Sequence, residues 1–152
     1  MNKQLLILIT PFLLLAIVLI GCTTPTDDNN SYQTSIILDD DLFQNASRDP
    51  YKINNIGLER DILEINVSFS GGCEEHEFSL FEDSSFKESL SVQIEAVLSH
   101  NDNDDPCDGI YTEELTFDLS PLKEKWQKAY QKNSGTIIIW LEGVEESLSY
   151  EF

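Results

Sequence analysis

The sequence predicts a mainly β protein: an antiparallel immunoglobulin-like β-sandwich with one short α-helix at about 121–132, preceded by a signal-peptide helix. Three observations carry this prediction. Apolar residues alternate with polar ones at a period of two from residue 36 onward, the signature of strands with one buried face. One stretch alone, between Pro121 and Gly135, changes to helical spacing. The first twenty residues are almost continuously apolar. With 152 residues, 41% apolar and 24% charged, the chain has the size and composition of one globular domain. Its 28 carboxylates against 9 lysines and arginines leave a charge of −19, which repels nucleic acid and anionic lipid and argues against nucleic-acid partners.

Lys3 supplies the positive start of a secretion signal, and Leu5 to Ile20 runs apolar apart from Thr10 and Pro11. Sixteen residues rising about 1.5 Å each span roughly 24 Å, short of a hydrocarbon core of about 30 Å, so the segment reads as a leader rather than a spanning helix. Leu19-Ile20-Gly21-Cys22 resembles the bacterial lipobox, in which a small residue precedes the cysteine that forms a thioether to diacylglycerol. The resemblance implies a signal peptide over 1–21, lipidation with palmitate at Cys22, and a mature chain that meets the membrane through that anchor. Acyl chains contribute about 0.8 kcal/mol per buried CH₂, so two or three of them hold a protein firmly. Thr23 stands where an aspartate would retain many lipoproteins in the inner membrane, which points to the outer membrane. Residues 22–34, with Pro25, Asp27-Asp28 and Asn29-Asn30, are too polar to bury a core and read as a tether. The acidic pair resembles an export signal to the cell surface, and periplasmic and surface-facing orientations both stay open.

The remaining 35–152 form the predicted domain. Leu63, Ile65, Val67 and Phe69 share one face of a strand over 61–70, with Glu64, Asn66 and Ser68 on the other. The same parity continues in 76–81 through Phe78 and Leu80, in 91–100 through Val92, Ile94, Ala96 and Leu98, and in 113–119 through Leu115, Phe117 and Leu119. Ile137 to Leu141 is apolar on both faces and fits a central position, while Leu148, Tyr150 and Phe152 close the chain as an edge strand. Weaker strand patterns cover 35–38 and 51–56. In the helix, Ser120 is the expected N-cap, Pro121 the first helical residue and Gly135 the residue beyond the end. Leu122, Trp126, Ala129 and Tyr130 form its apolar stripe, and Lys125, Lys128 and Lys132 its solvated side. Seven or eight short strands of this kind suit a sandwich, a class too widely used to specify a function.

Successive strands reverse direction, so the loops 71–75 and 100–109 are expected at one end of the domain. Cys73, His76, His100 and Cys107 all fall there, and they are the only histidines and the only cysteines besides Cys22. In an oxidising compartment an even pair of cysteines favours a Cys73–Cys107 disulfide. The alternatives are a Cys₂His₂ zinc site built from these four residues and free thiols. Between His100 and Cys107 the spacing exceeds that of usual zinc sites. Both histidines share parity with core residues and also fit as capping groups that hydrogen-bond loop carbonyls. Asp102, Asp104, Asp105 and Asp108 offer oxygen donors suited to calcium, but Pro106 and the late Gly109 break the EF-hand pattern and favour a solvated acidic turn. No catalytic template is present, neither nucleophile elbow nor zincin helix, phosphate loop or dinucleotide fingerprint. No cofactor is therefore expected.

Gly72-Cys73-x-x-His76-x-Phe78, Leu98-Ser99-His100, Asp105-x-Cys107 and Phe117-Asp118-Leu119-Ser120-Pro121-Leu122-Lys123 together resemble a group of small uncharacterised bacterial envelope lipoproteins, over about residues 70–152. That resemblance implies an envelope domain and no particular chemistry. The expectation for function is thus a non-enzymatic binding or structural lipoprotein, partnered by an envelope protein or polysaccharide, with zinc or calcium binding as the alternative.

Overall fold

Strands that each bury one face need a second layer, and here two sheets supply it to each other. The computed structural model describes residues 33–152; the signal peptide, Cys22 and the tether through residue 32 lie outside the described residues. In chain order the elements are β1 (Gln33–Ser35), β2 (Ile37–Leu38), α1 (Asp40–Gln44), β3 (Tyr51–Glu59), β4 (Ile62–Gly71), β5 (Glu77–Glu82), β6 (Val92–Asn101), β7 (Gly109–Asp118), α2 (Ser120–Tyr130), β8 (Thr136–Leu141) and β9 (Leu148–Glu151). One sheet has the order β1-β7-β4-β3 and the other β2-β5-β6-β8-β9. Leu63, Ile65 and Val67 from β4 and Ile94, Ala96 and Leu98 from β6 meet in one core, closed by Leu122 and Trp126 of α2 and by Ile137, Ile139 and Leu141 of β8. Each fully buried leucine or isoleucine in such a core contributes about 1.5–3 kcal/mol.

The connections depart from a wholly antiparallel sandwich. β4 and β5, expected as antiparallel neighbours, lie in different sheets, so the chain crosses between layers at 72–76 and returns to the first sheet between β6 and β7. Alternation reports that a strand has one buried face, not which sheet it joins. β6 and β8 pair in parallel because the excursion through β7 and α2 brings the chain back in its former direction. The pairs β1–β7 and β2–β5 are parallel too. These two short strands are one extended run that switches sheets at the buried Ile36. Gln33 and Thr34, polar enough to read as tether, pair with Thr116 and Phe117.

Helix α1 escaped the pattern because one turn shows no periodicity; Asp39 caps it, its carboxylate accepting from the Leu42 amide at 2.9 Å. In α2 the cap position falls on Leu119, and Asp118 takes the capping role by accepting from the Ser120 amide and hydroxyl, each at 2.8 Å. The helix ends at Gln131, whose left-handed backbone closes the last turn. Gly135 serves another purpose: a Cβ there would meet the Trp126 ring. Ala129 is exposed rather than part of the stripe. Lys125 is not a solvated cation either, since its ammonium donates to both oxygens of Glu82 at 2.9 and 3.1 Å. Lys123 likewise pairs with Asp61, which also accepts from the buried Tyr150 hydroxyl at 2.7 Å.

Glu82 is fully buried, and burial pushes its carboxyl up from 4.5 to about 7 despite the Lys125 partner. An acid whose folded value is raised binds protons more tightly in the folded state, so stability falls as pH rises between about 4.5 and about 7. Asp61 shifts the other way, lowered chiefly by the Lys123 hydrogen bond, and its contribution is lost only as pH falls below the ordinary carboxylate range. Glu82→Gln is expected to flatten the decline between these two pH values in a denaturant series; an unchanged slope assigns it to other groups.

Candidate functional site

The end of the domain where the β4–β5 and β6–β7 crossovers lie gathers Cys73, Cys107, the histidines and the acidic turn. Cys73 and Cys107 are joined as a disulfide with Cα atoms 5.8 Å apart. The thiolates that a Cys₂His₂ zinc site needs are thereby consumed. Although Cys73, Asp105 and Cys107 lie close together, their sulfurs are bonded to each other and offer no thiolate ligand.

Asp105 organises the two loops. One carboxylate oxygen, Oδ2, accepts from the successive amides of Gly72, Cys73 and Glu74 at 2.7, 2.9 and 3.0 Å, while Oδ1 accepts from the Cys107 amide at 2.8 Å. Its side chain is 1% exposed. These amides, led by that of Glu74, hold the carboxyl well below the usual carboxylate range against the opposing effect of desolvation. Asp105 is therefore an anion committed to the backbone.

The histidines complete a chain of contacts from this anion into the second sheet. His76 Nε2 lies 3.2 Å from Asp105 Oδ2, His76 Nδ1 lies 2.8 Å from His100 Nε2, and His100 Nδ1 lies 3.1 Å from the carbonyl of Asp49. A carbonyl and a carboxylate only accept, so His100 Nδ1 and His76 Nε2 both carry protons. The facing nitrogens, His76 Nδ1 and His100 Nε2, bond the two rings to each other. Aromatic rings enclose the pair: Phe78 stacks on His100 with centroids 4.3 Å apart, and Phe69 lies against His76 at 4.6 Å. The capping role expected of the histidines thus takes a specific form, with each bonded to the other and one carbonyl at the far end.

The acidic turn is similarly occupied. Asp102 accepts from the Asp104 amide at 2.9 Å, and its own amide donates to Asp49 at 3.0 Å. Asn103 and Asp104 adopt left-handed backbone, and Asn103 donates to the carbonyl of Glu75 at 2.6 Å. Asp104 and Asp108 are exposed. The four aspartates do not converge on one point, because Asp102 and Asp105 turn inward to amides of different segments.

Beside the disulfide a cavity of about 660 Å³ opens to solvent. Phe69 and His76 form its floor, Tyr111 a wall, and Glu74, Glu75 and Glu113 its rim. Sequence reasoning missed Phe69, Tyr111 and Glu113 as site residues, because the first and third fit ordinary strand positions and the strand pattern began only at Glu113. It also placed Asp105 among possible calcium ligands rather than at the centre of the loops. The one signal for that role was its position two residues before Cys107.

No protein-family model matches the chain, and no curated protein matches it. Among solved structures it is similar to a NigD-like immunity protein from Bacteroides caccae, with a TM-score of 0.58 at 18% identity over 79% of this chain and 63% of that one. It is also similar to a Bacteroides vulgatus protein of unknown function, with a TM-score of 0.50 at 15% identity over 79% of this chain and 55% of that one. The chain spans less than two thirds of either neighbour, and the likeness is one of fold.

Two substitutions test the linkage of the loops. Replacing Cys73 and Cys107 together by serine is expected to lower unfolding free energy by about 2–4 kcal/mol, and intact mass of the native chain to rise by about 2 Da on reduction. Equal denaturation midpoints with and without the bridge exclude that role. Gly71→Ala places a Cβ 2.6 Å from His76 Cε1 and 2.9 Å from Asp105 Oδ2. The resulting overpacking is expected to cost about 1–3 kcal/mol in the same assay.

Proposed function

We propose that this chain is a cell-envelope lipoprotein, held on the outer membrane through lipid at Cys22, whose domain works by binding rather than catalysis. The observation that carries the anchor is the lipobox-like Leu19-Ile20-Gly21-Cys22 after an apolar run, followed by a polar acidic tether. The Cys73–Cys107 disulfide supports an exported chain, because such bridges persist in oxidising compartments.

The chemistry of the disulfide end supports the binding role. A catalytic site holds a nucleophile, acid or base free to act on a substrate. Here the sulfurs are paired, Asp105 is saturated by amides, His76 and His100 are bonded to each other, and His100 is buried. What faces solvent instead is an aromatic-floored cavity with a carboxylate rim. Zinc or calcium binding has less support, because Cys73, Cys107, His76, His100, Asp102 and Asp105 serve internal contacts and leave only Asp104 and Asp108 exposed.

Cys22→Ser tests the anchor. Cells expressing the wild-type chain are expected to incorporate labelled palmitate into it and to retain it in the outer-membrane fraction. The variant is expected to carry no label and to leave that fraction; a labelled, membrane-bound variant overturns the reading.

A further inference from the structure

Among the described residues, strand β7 is paired along its whole length on one side only. From Gly71 opposite Gly109 to Ile62 opposite Asp118 its register with β4 is unbroken. On the other side β1 covers Thr116 to Asp118 and nothing earlier among the described residues. Residues 109–115 therefore present a regular open edge, roughly 23 Å long at about 3.3 Å per residue. Proteins usually blunt such edges with lysine, proline or a bulge. Gly109 to Leu115 contains neither residue, its pairing with β4 contains no bulge, and its charges are the two carboxylates of Glu113 and Glu114. It exposes Ile110 at 78% and Tyr111 at 48% instead.

We infer that this edge docks an extended, basic segment of another polypeptide, which adds to the sheet as a further strand. The inference rests on the binding role proposed above and specifies its partner. Tyr111 and Glu113 share the inward parity of Leu115 and Phe117 and line the cavity, whereas Ile110, Thr112 and Glu114 face outward. Carboxylates thus flank the edge on both faces, with Glu74 and Glu75 adding to the inward side. A lysine or arginine on the inward face of an added strand lays its stem along Tyr111 and Phe69 and its charge among these carboxylates. Backbone pairing supplies the affinity of such docking, and the alternating side chains its selectivity.

Charge decides between occupants. A second copy brings Glu113 and Glu114 against the same acidic edge in a chain of charge −19. The chain's own residues 22–32 carry Asp27 and Asp28 and no lysine or arginine. Neither brings a positive charge that the edge lacks, whereas a basic segment is complementary.

The test uses the mature, lipidated chain in uncharged detergent and a fluorescent peptide alternating lysine with valine. Binding is expected by fluorescence anisotropy, weakened at least about tenfold by Glu113→Lys with Glu114→Lys and by about 0.5 M salt. A peptide with glutamate in place of lysine is expected not to bind. A peptide of unchanged charge, N-methylated at alternate residues on its pairing edge, is expected to lose binding as well. Equal binding of the methylated peptide overturns strand addition in favour of unspecific charge attraction. Binding that appears only after deletion of residues 24–31 assigns the edge to the tether, and a dimer broken by the charge reversal assigns it to a second copy; either outcome overturns the inference. Absence of binding in every form does so too, and leaves the Cys22 result standing independently.

Discussion

The carboxylate of Asp105 joins two crossovers that share no strand pairing of their own. One loop carries the chain from the first sheet to the second, the other carries it back, and their only common covalent link is the Cys73–Cys107 bridge. Three successive amides at 72–74 converge on one oxygen, a geometry that a neutral acceptor satisfies poorly and an anion satisfies well. Gly71 is needed beside it, because a side chain there would occupy the space of His76 and Asp105. The histidine pair then extends the same anion's influence to β6 and to the segment around Asp49, so that one charge orders both sheets at this end.

This arrangement bears directly on what the domain can do. Buried polar groups cost free energy unless partnered, and at the disulfide end Asp105, His76 and His100 are each spent on another protein group. Stability and reactivity compete for the same atoms, and stability holds them. The groups left facing solvent are glutamates and aromatic rings, which suit recognition of a cation or a cationic chain.

The edges of β6 and β7 are treated differently. Beyond β8, the upper part of β6 is covered by backbone bonds between Ser47, Asp49 and His100, while β9 closes the far side of β8. β7 has no such cover over 109–115 among the described residues. An uncovered, unbulged edge beside an acidic cavity is an asymmetry that folding of the domain does not require.

Local chemistry made much of this legible. Alternation in β4, β6 and β7 identified the residues that reach the core, since burial of one face imposes a period of two whatever the neighbours are. Pro121 marked the start of α2, and the even pair of cysteines pointed to their partnership. The parallel pairing of β6 with β8, the separation of β4 from β5 and the capture of Lys125 by Glu82 depended on contacts between residues far apart in the chain. Likewise, only its place two residues before Cys107 hints that Asp105 accepts from amides more than thirty residues away. By itself the sequence determined which faces are apolar, because that is a property of each strand. Which strands became neighbours, and which charges met, was decided only when the two layers packed, because those choices minimise the free energy of the whole core and of no single segment.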